Sequence, residues 1–135
     1  MIPELGQVFF IAALASALLQ FLGGITALFI RIEKIEQFVE RTTAFQTLSL
    51  TICFGLLTTA FLQDDFSVLY VASNSNTALP IGYKIAAVWG GHEGSLLLWV
   101  LILSTWTLFL SKDTALKSSP ELRIVALSIL GLISL

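Results

Sequence analysis

The sequence predicts an all-α membrane protein, a bundle whose helices cross the bilayer several times. Of its 135 residues 56% are hydrophobic and only 12% are charged, whereas about a quarter of the residues of a soluble domain carry a charge. Uncharged runs occupy residues 6–30, 44–63 and 94–111, close to the roughly 20 residues that a helix needs to cross a hydrocarbon core of about 30 Å. These two observations exclude a soluble domain and predict membrane lipid, not nucleic acid, around the chain.

Four helices and one outer loop follow from the apolar runs. The helices are expected at about 6–30, 44–63, 86–111 and 122–135, and the outer loop at 64–85. The first run lacks the basic start and short apolar core of a signal peptide, so we expect it to stay in the mature protein. The fourth run reaches Leu135 after about a dozen apolar residues, fewer than a full span requires, and the chain is therefore expected to be truncated.

The basic residues predict how these helices are oriented. Six of the seven lie in the first and third connections, and only Lys84 lies in the outer loop. Because basic residues favour the cytoplasmic side, the N-terminus and residues 64–85 are predicted to be periplasmic or on the equivalent outer face. A fully solvated loop would expose the apolar side chains of Phe66, Leu69 and Tyr70 to water. We therefore expect this segment to lie folded on the membrane surface.

Polar and small residues within the runs predict contacts between helices. Gln20 is expected to make an interhelical hydrogen bond. A stripe that typically faces another helix is formed by Thr47, Thr51, Gly55 and Thr58 or Thr59. The lone cysteine, Cys53, cannot form a disulfide, a CxxC pair or a haem-attaching CxxCH motif. It is expected to be a small packing residue.

The stretch WGGHEGSLLLWV, residues 89–100, contains the single histidine of the chain. If the third helix begins upstream of Trp89, Gly90 and Gly94 share a row with Ala86, and such a row of small residues predicts close backbone contact. His92 recurs with Trp99 on one helix face, and the neighbouring Glu93 points about a quarter turn away. The glycines therefore have an explanation in packing, whereas the histidine and the glutamate do not.

Two interpretations of this pair remain open at the level of sequence. An aromatic face below His92 is compatible with a porphyrin wall, and Glu93 is compatible with a proton or ion-pair role. Both residues are equally compatible with a structural role at the membrane interface, where tryptophan is common for its amphipathic ring. One imidazole and one carboxylate are too few for a closed metal site, so none is predicted. The candidates for indirect support of an outer-facing site are Trp89, His92, Glu93 and Trp99.

Three segments of the chain resemble a known family. They are MIPELG, then QDDFSVLYVASNSNTALPIGYK, then AAVWGGHEGSLLLWVLILSTW. Together they resemble the N-terminal part of the CcmF family, the membrane subunits of the cytochrome c haem lyase, and of a close relative that serves nitrite reductase maturation. The resemblance extends over most of the chain, and residues 65–99 are its most specific portion.

The resemblance implies a many-spanning protein of the bacterial inner membrane, or of the mitochondrial one. Such a protein takes haem from the haem chaperone CcmE and, with CcmH and CcmI-type partners, attaches it to apocytochrome c on the outer face. The haem-associated histidines and the tryptophan-rich segment of that family lie farther along the chain, so no ligand role passes to His92. The resemblance thus implies N-terminal helices of a larger haem-binding protein that are not catalytic alone.

Two other functions are compatible with the same residues. The first is a transport subunit whose polar stripes and His92–Glu93 pair line a path for a proton or a small solute. The second is a membrane assembly subunit with no ligand.

Overall fold

The computed structural model describes residues 2–29, 33–112 and 120–134, which form an all-α bundle as predicted. Its helices are α1 (Ile2–Phe29), α2 (Glu33–Leu62), α3 (Leu69–Asn74), α4 (Ile81–Ala87), α5 (His92–Lys112) and α6 (Pro120–Ile133). Three spans, Ile2–Ala27, Gln37–Leu62 and His92–Lys112, are long and apolar enough to cross a membrane. In α6 the apolar stretch Ile124–Ile133 is shorter.

The first two helices are longer than the uncharged runs from which they were predicted. α1 begins at Ile2 and α2 at Glu33, rather than near residues 6 and 44. Charged residues do not end a helix at the membrane surface, because long side chains reach the water while the backbone keeps its hydrogen bonds. Arg31 and Lys117, which entered the orientation argument, lie outside the described residues, as does the side chain of Arg123.

The first helix packs mainly against α2 and α6, and small or polar residues lie at the contact with α6. A Cβ atom on Gly24 would overlap the hydroxyl of Ser128, so only glycine fits at that approach of the two backbones. The buried Gln20 donates from Nε2 to the carbonyl oxygen of Leu127 over 2.6 Å. This bond confirms the interhelical role expected of Gln20.

The hydroxyl stripe of α2 contacts another helix at one of its positions. Thr47 is buried, and its Oγ1 lies 3.0 Å from the carbonyl oxygen of Ser104 in α5. Thr51 and Gly55 are exposed in the described part of the chain, and a Cβ on Gly55 would meet nothing within 4 Å. The expected helix contact is therefore confirmed at Thr47 and is absent at Gly55, because small residues permit a close approach without requiring one.

The segment 64–85 is folded onto the ends of the long helices. It contains α3 and most of α4, and Val71 is fully buried against Ala60 and Phe61 at the end of α2. Lys84 of α4 lies with Nζ 2.5 Å from Oδ2 of Asp64, just after α2. Residues 69–87 are thus held against α2 by an apolar cluster and an ion pair.

Candidate functional site

The third predicted helix is interrupted at residues 88–91, where α4 has ended and α5 has not begun. The hydroxyl of Tyr70 lies at this break. It donates to the carbonyl oxygen of Val88 over 3.2 Å and accepts from the amide of Gly91 over 3.1 Å. In a continuous α-helix the amide of His92 would bind Val88, and the carbonyl of Ala87 would bind Gly91. The expected start near residue 86 is therefore corrected to His92, because a side chain inserts into the helical hydrogen-bond ladder.

Two glycines leave the space that the phenol occupies. A Cβ on Gly91 would lie 2.7 Å from the hydroxyl oxygen of Tyr70, and one on Gly94 would lie 2.6 Å from it and overlap the carbonyl oxygen of Val88. The close contact expected of Gly94 is present, but its partners are a tyrosine and a turn. A Cβ on Gly90 would make only ordinary contacts, the nearest at 3.4 Å. The predicted small-residue row through Gly90 does not form, since the helix is broken there.

Tyr70 is itself held by the apolar cluster at the end of α2. Its ring packs edge-on against Phe61, with the centroids 5.5 Å apart. Val68 and Val71, on either side of Tyr70 in the chain, pack on the same cluster. Sequence reasoning missed Tyr70 as a functional candidate, because it lies 21 positions before Gly91, its hydrogen-bond partner. No periodicity connects the two.

Two of the four candidate residues lie exposed at the turn. Trp89 is 41% exposed, and His92, the first residue of α5, is also exposed. The carbonyl oxygen of His92 accepts a hydrogen bond from the Ser95 hydroxyl over 2.9 Å, whereas its ring has no hydrogen bond to any residue that the structure describes. The rings of Trp89 and His92 can therefore contact a ligand or a protein segment that does not belong to the described residues.

The other two candidates, Glu93 and Trp99, are exposed as well, and they line an open cleft of about 440 Å³ between α1, α2, α5 and the end of α6. Neither His92 nor Trp89 is among its lining residues. Helical periodicity predicted that Trp99 shares a face of α5 with His92 and that Glu93 lies on a different face. In the structure Glu93 and Trp99 both line the cleft, because a space between four helices is wider than one face of α5.

The walls of this cleft are mostly apolar. Its polar groups are Glu93 at the start of α5, and Gln46 and Ser134 farther along the bundle. Gln46 is buried and donates from Nε2 to the Ser134 hydroxyl over 2.8 Å, so these two groups satisfy each other. Glu93 is left as the ionisable group of the cleft.

The side chains of the cleft do not fit a haem iron. They include one carboxylate and neither an imidazole nor a sulfur ligand. Across residues 2–29, 33–112 and 120–134 there is no cluster of three or more His, Cys, Asp and Glu side chains that could hold a metal. Cys53 is buried, with Sγ 3.5 Å from the carbonyl oxygen of Gly6, which agrees with packing between α2 and α1. His92 could supply one axial position at most.

Known proteins with similar sequences share one description. The chain is 47% identical over 136 aligned residues to the cytochrome c-type biogenesis protein CcmF of Pseudomonas aeruginosa, covering 99% of this chain and 20% of that protein. It is 38% identical to the cytochrome c-type biogenesis protein NrfE of Haemophilus influenzae, covering 98% of this chain and 21% of that protein. No family model matches the sequence.

The fold is likewise similar to a solved structure, the cytochrome c heme lyase CcmF. The TM-score is 0.92 at 28% identity, over 99% of this chain and 22% of that one. The chain thus spans about a fifth of the length of the relatives that it matches. Over that fifth, the resemblance suggested by residues 65–99 is confirmed in both sequence and fold.

Proposed function

Because this chain is a homologue of the CcmF and NrfE cytochrome c biogenesis proteins, we propose that it forms part of a membrane haem lyase. In this proposal the whole protein attaches haem to apocytochrome c, and these helices hold one wall of its outer-facing site. The observation that carries the proposal is the similarity of nearly the whole chain to proteins of that description. Its helices form a scaffold, since the described side chains provide no metal site of their own.

The orientation proposed for the chain has its N-terminus and the turn at 88–91 on the periplasmic face of the bacterial inner membrane, or on its mitochondrial equivalent. Lys34 and Arg41 lie in the first part of α2, and Lys112 ends α5. Tyr70 contacts both Phe61 at the end of α2 and Gly91 just before α5. Thr47 of α2 contacts Ser104 farther along α5. The two helices therefore run antiparallel, and their basic ends lie on the same side of the bundle. At the opposite ends Lys84 is paired with Asp64, so that the pair has no net charge. This distribution of basic residues supports an inner face at the start of α2.

The proposed partners follow from the relatives. The whole protein would receive haem from a CcmE-type chaperone and would act on apocytochrome c with CcmH and CcmI-type subunits. In this chain the turn would present Trp89 and His92 to that assembly, while Glu93 and Trp99 line the cleft below. His92 would act beside the haem and not as a ligand to its iron. Residues that hydrogen-bond to the ligands of a metal, without binding the metal themselves, commonly change metal affinity or activity by about 10- to 100-fold when they are removed.

A proton or solute path through the cleft has weaker support. A path across lipid needs a succession of polar groups along the bundle. In the described part of this cleft Gln46 and Ser134 bind each other, and apolar side chains separate them from Glu93. This arrangement favours a scaffold over a conducting path.

Complementation of a strain that lacks its own CcmF-type protein tests the proposed function. The intact gene that encodes this chain should restore c-type cytochromes, measured as haem that stays covalently bound in denaturing gels. A matched strain would carry the same gene with a stop codon within α2. Abundant, membrane-inserted protein with no covalent haem in any c-type cytochrome would contradict the proposal.

A further inference from the structure

The hydroxyl of Tyr70 bridges the two ends of the turn between α4 and α5. It binds the carbonyl of Val88, which follows α4, and the amide of Gly91, which precedes α5. We propose that Tyr70 is a positioning residue, whose hydroxyl sets the direction in which the start of α5 presents His92 and Glu93. The inference rests on the proposed function of this turn, and it assigns the positioning of His92 and Glu93 to a residue outside the WGGHEGS motif.

The backbone of the turn explains why one hydroxyl has this influence. The amides of Val88, Trp89 and Gly90 bind carbonyls three residues earlier, and this tight winding ends at Gly90. Gly91 then donates to Tyr70, and its own carbonyl accepts from Ser95 at the start of α5. The phenol therefore takes the place of the backbone group that would have continued the helix.

The position of the phenol is fixed from two sides. Phe61 supports the ring from α2. Gly91 and Gly94 enclose the hydroxyl, since a Cβ on either would come within 2.7 Å of it. A side chain held at its ring and at its hydroxyl is a fixed reference for the turn.

Release of this contact would move the two candidate residues together. His92 and Glu93 immediately follow Gly91, and they begin α5. If the Gly91 amide loses its acceptor, the first turn of α5 is free to rotate. That rotation would redirect the exposed ring of His92 and withdraw Glu93 from its place in the cleft.

The test compares Tyr70→Phe with Tyr83→Phe in the intact protein. Tyr70→Phe removes the hydroxyl and keeps the ring, whereas Tyr83 is an exposed tyrosine on α4 that serves as the matched control. Amide hydrogen exchange over residues 88–95 should become roughly tenfold faster in Tyr70→Phe and stay unchanged in Tyr83→Phe. Gly91→Ala, which crowds the hydroxyl from the other side, should have the same effect.

Covalent haem in c-type cytochromes supplies the second measurement. Tyr70→Phe should lower it several-fold at unchanged protein abundance, and it should lower it by a smaller factor when His92→Ala is already present. Full additivity of the two changes would overturn the positioning role, as would unchanged exchange at 88–95. Faster exchange in Tyr70→Phe, with normal maturation in His92→Ala, would support the role of Tyr70 in the turn and refute the proposed function of His92.

Discussion

Replacing Gly94 with alanine should destabilise the protein through a contact that its position in the sequence does not reveal. The new methyl group would overlap the carbonyl oxygen of Val88 and come within 2.6 Å of the Tyr70 hydroxyl. Neither atom can move without breaking the bond between them, which is 3.2 Å long. The hydroxyl would also leave the amide of Gly91.

The size of the effect follows from the groups left unpaired. The Val88 carbonyl and the Gly91 amide would each lose a partner, at a cost of about 1–3 kcal/mol for each buried group. Replacing a glycine within a helix returns about 0.5–1 kcal/mol through the lower entropy of the unfolded chain. The free energy of unfolding should therefore fall by about 1–5 kcal/mol.

The assay is denaturant titration of the intact protein in mild detergent, with Gly82→Ala as the control. Gly82 lies within α4, and a Cβ there would meet nothing within 4 Å. Gly82→Ala should therefore stabilise the protein by about 0.5–1 kcal/mol, opposite in sign to Gly94→Ala. Equal effects of the two substitutions would refute the argument that the Tyr70 contact makes glycine necessary at position 94.

Three further predictions concern the orientation and the packing of the bundle. A cysteine introduced at the exposed Ser73 should react with a membrane-impermeant reagent in intact spheroplasts, and reaction only after lysis would refute the outer position of the loop. Gln20→Leu should lower the free energy of unfolding by about 0.5–2 kcal/mol, since the Leu127 carbonyl loses its donor, and no change would contradict the interhelical bond. Lys84→Met should lower protein abundance more than Lys84→Met with Asp64→Asn, because the single change leaves a carboxylate without its partner. The reverse order would show that the ion pair does not hold α4.

The uncharged runs predicted the long helices of this fold because lipid imposes a simple requirement on length and polarity. The same rule could not find where α2 begins, since Lys34 and Arg41 are accommodated in its first turns. Gln20 was recognisable as an interhelical donor, because a buried amide in lipid needs a partner. Its acceptor, the Leu127 carbonyl, depends on how α6 packs and has no signal in the sequence.

The candidate site was predictable in its residues and not in its geometry. The unusual glycines around His92 indicated a close approach, but the approaching group is Tyr70, from a short helix 21 positions earlier. A helical period relates residues within one helix only, so it could not show that α4 and α5 are separate. For the same reason it could not place Glu93 and Trp99 on one cleft between four helices.

We propose that His92 supports an outer-facing haem site without binding the iron. The visible spectrum of haem bound to the intact protein tests this role, recorded for the natural sequence and for His92→Ala alongside the yield of covalent cytochrome c. We expect a partial loss of yield with an unchanged low-spin spectrum. Loss of the low-spin signal in His92→Ala, and its return on addition of free imidazole, would refute this role and identify His92 as an axial ligand.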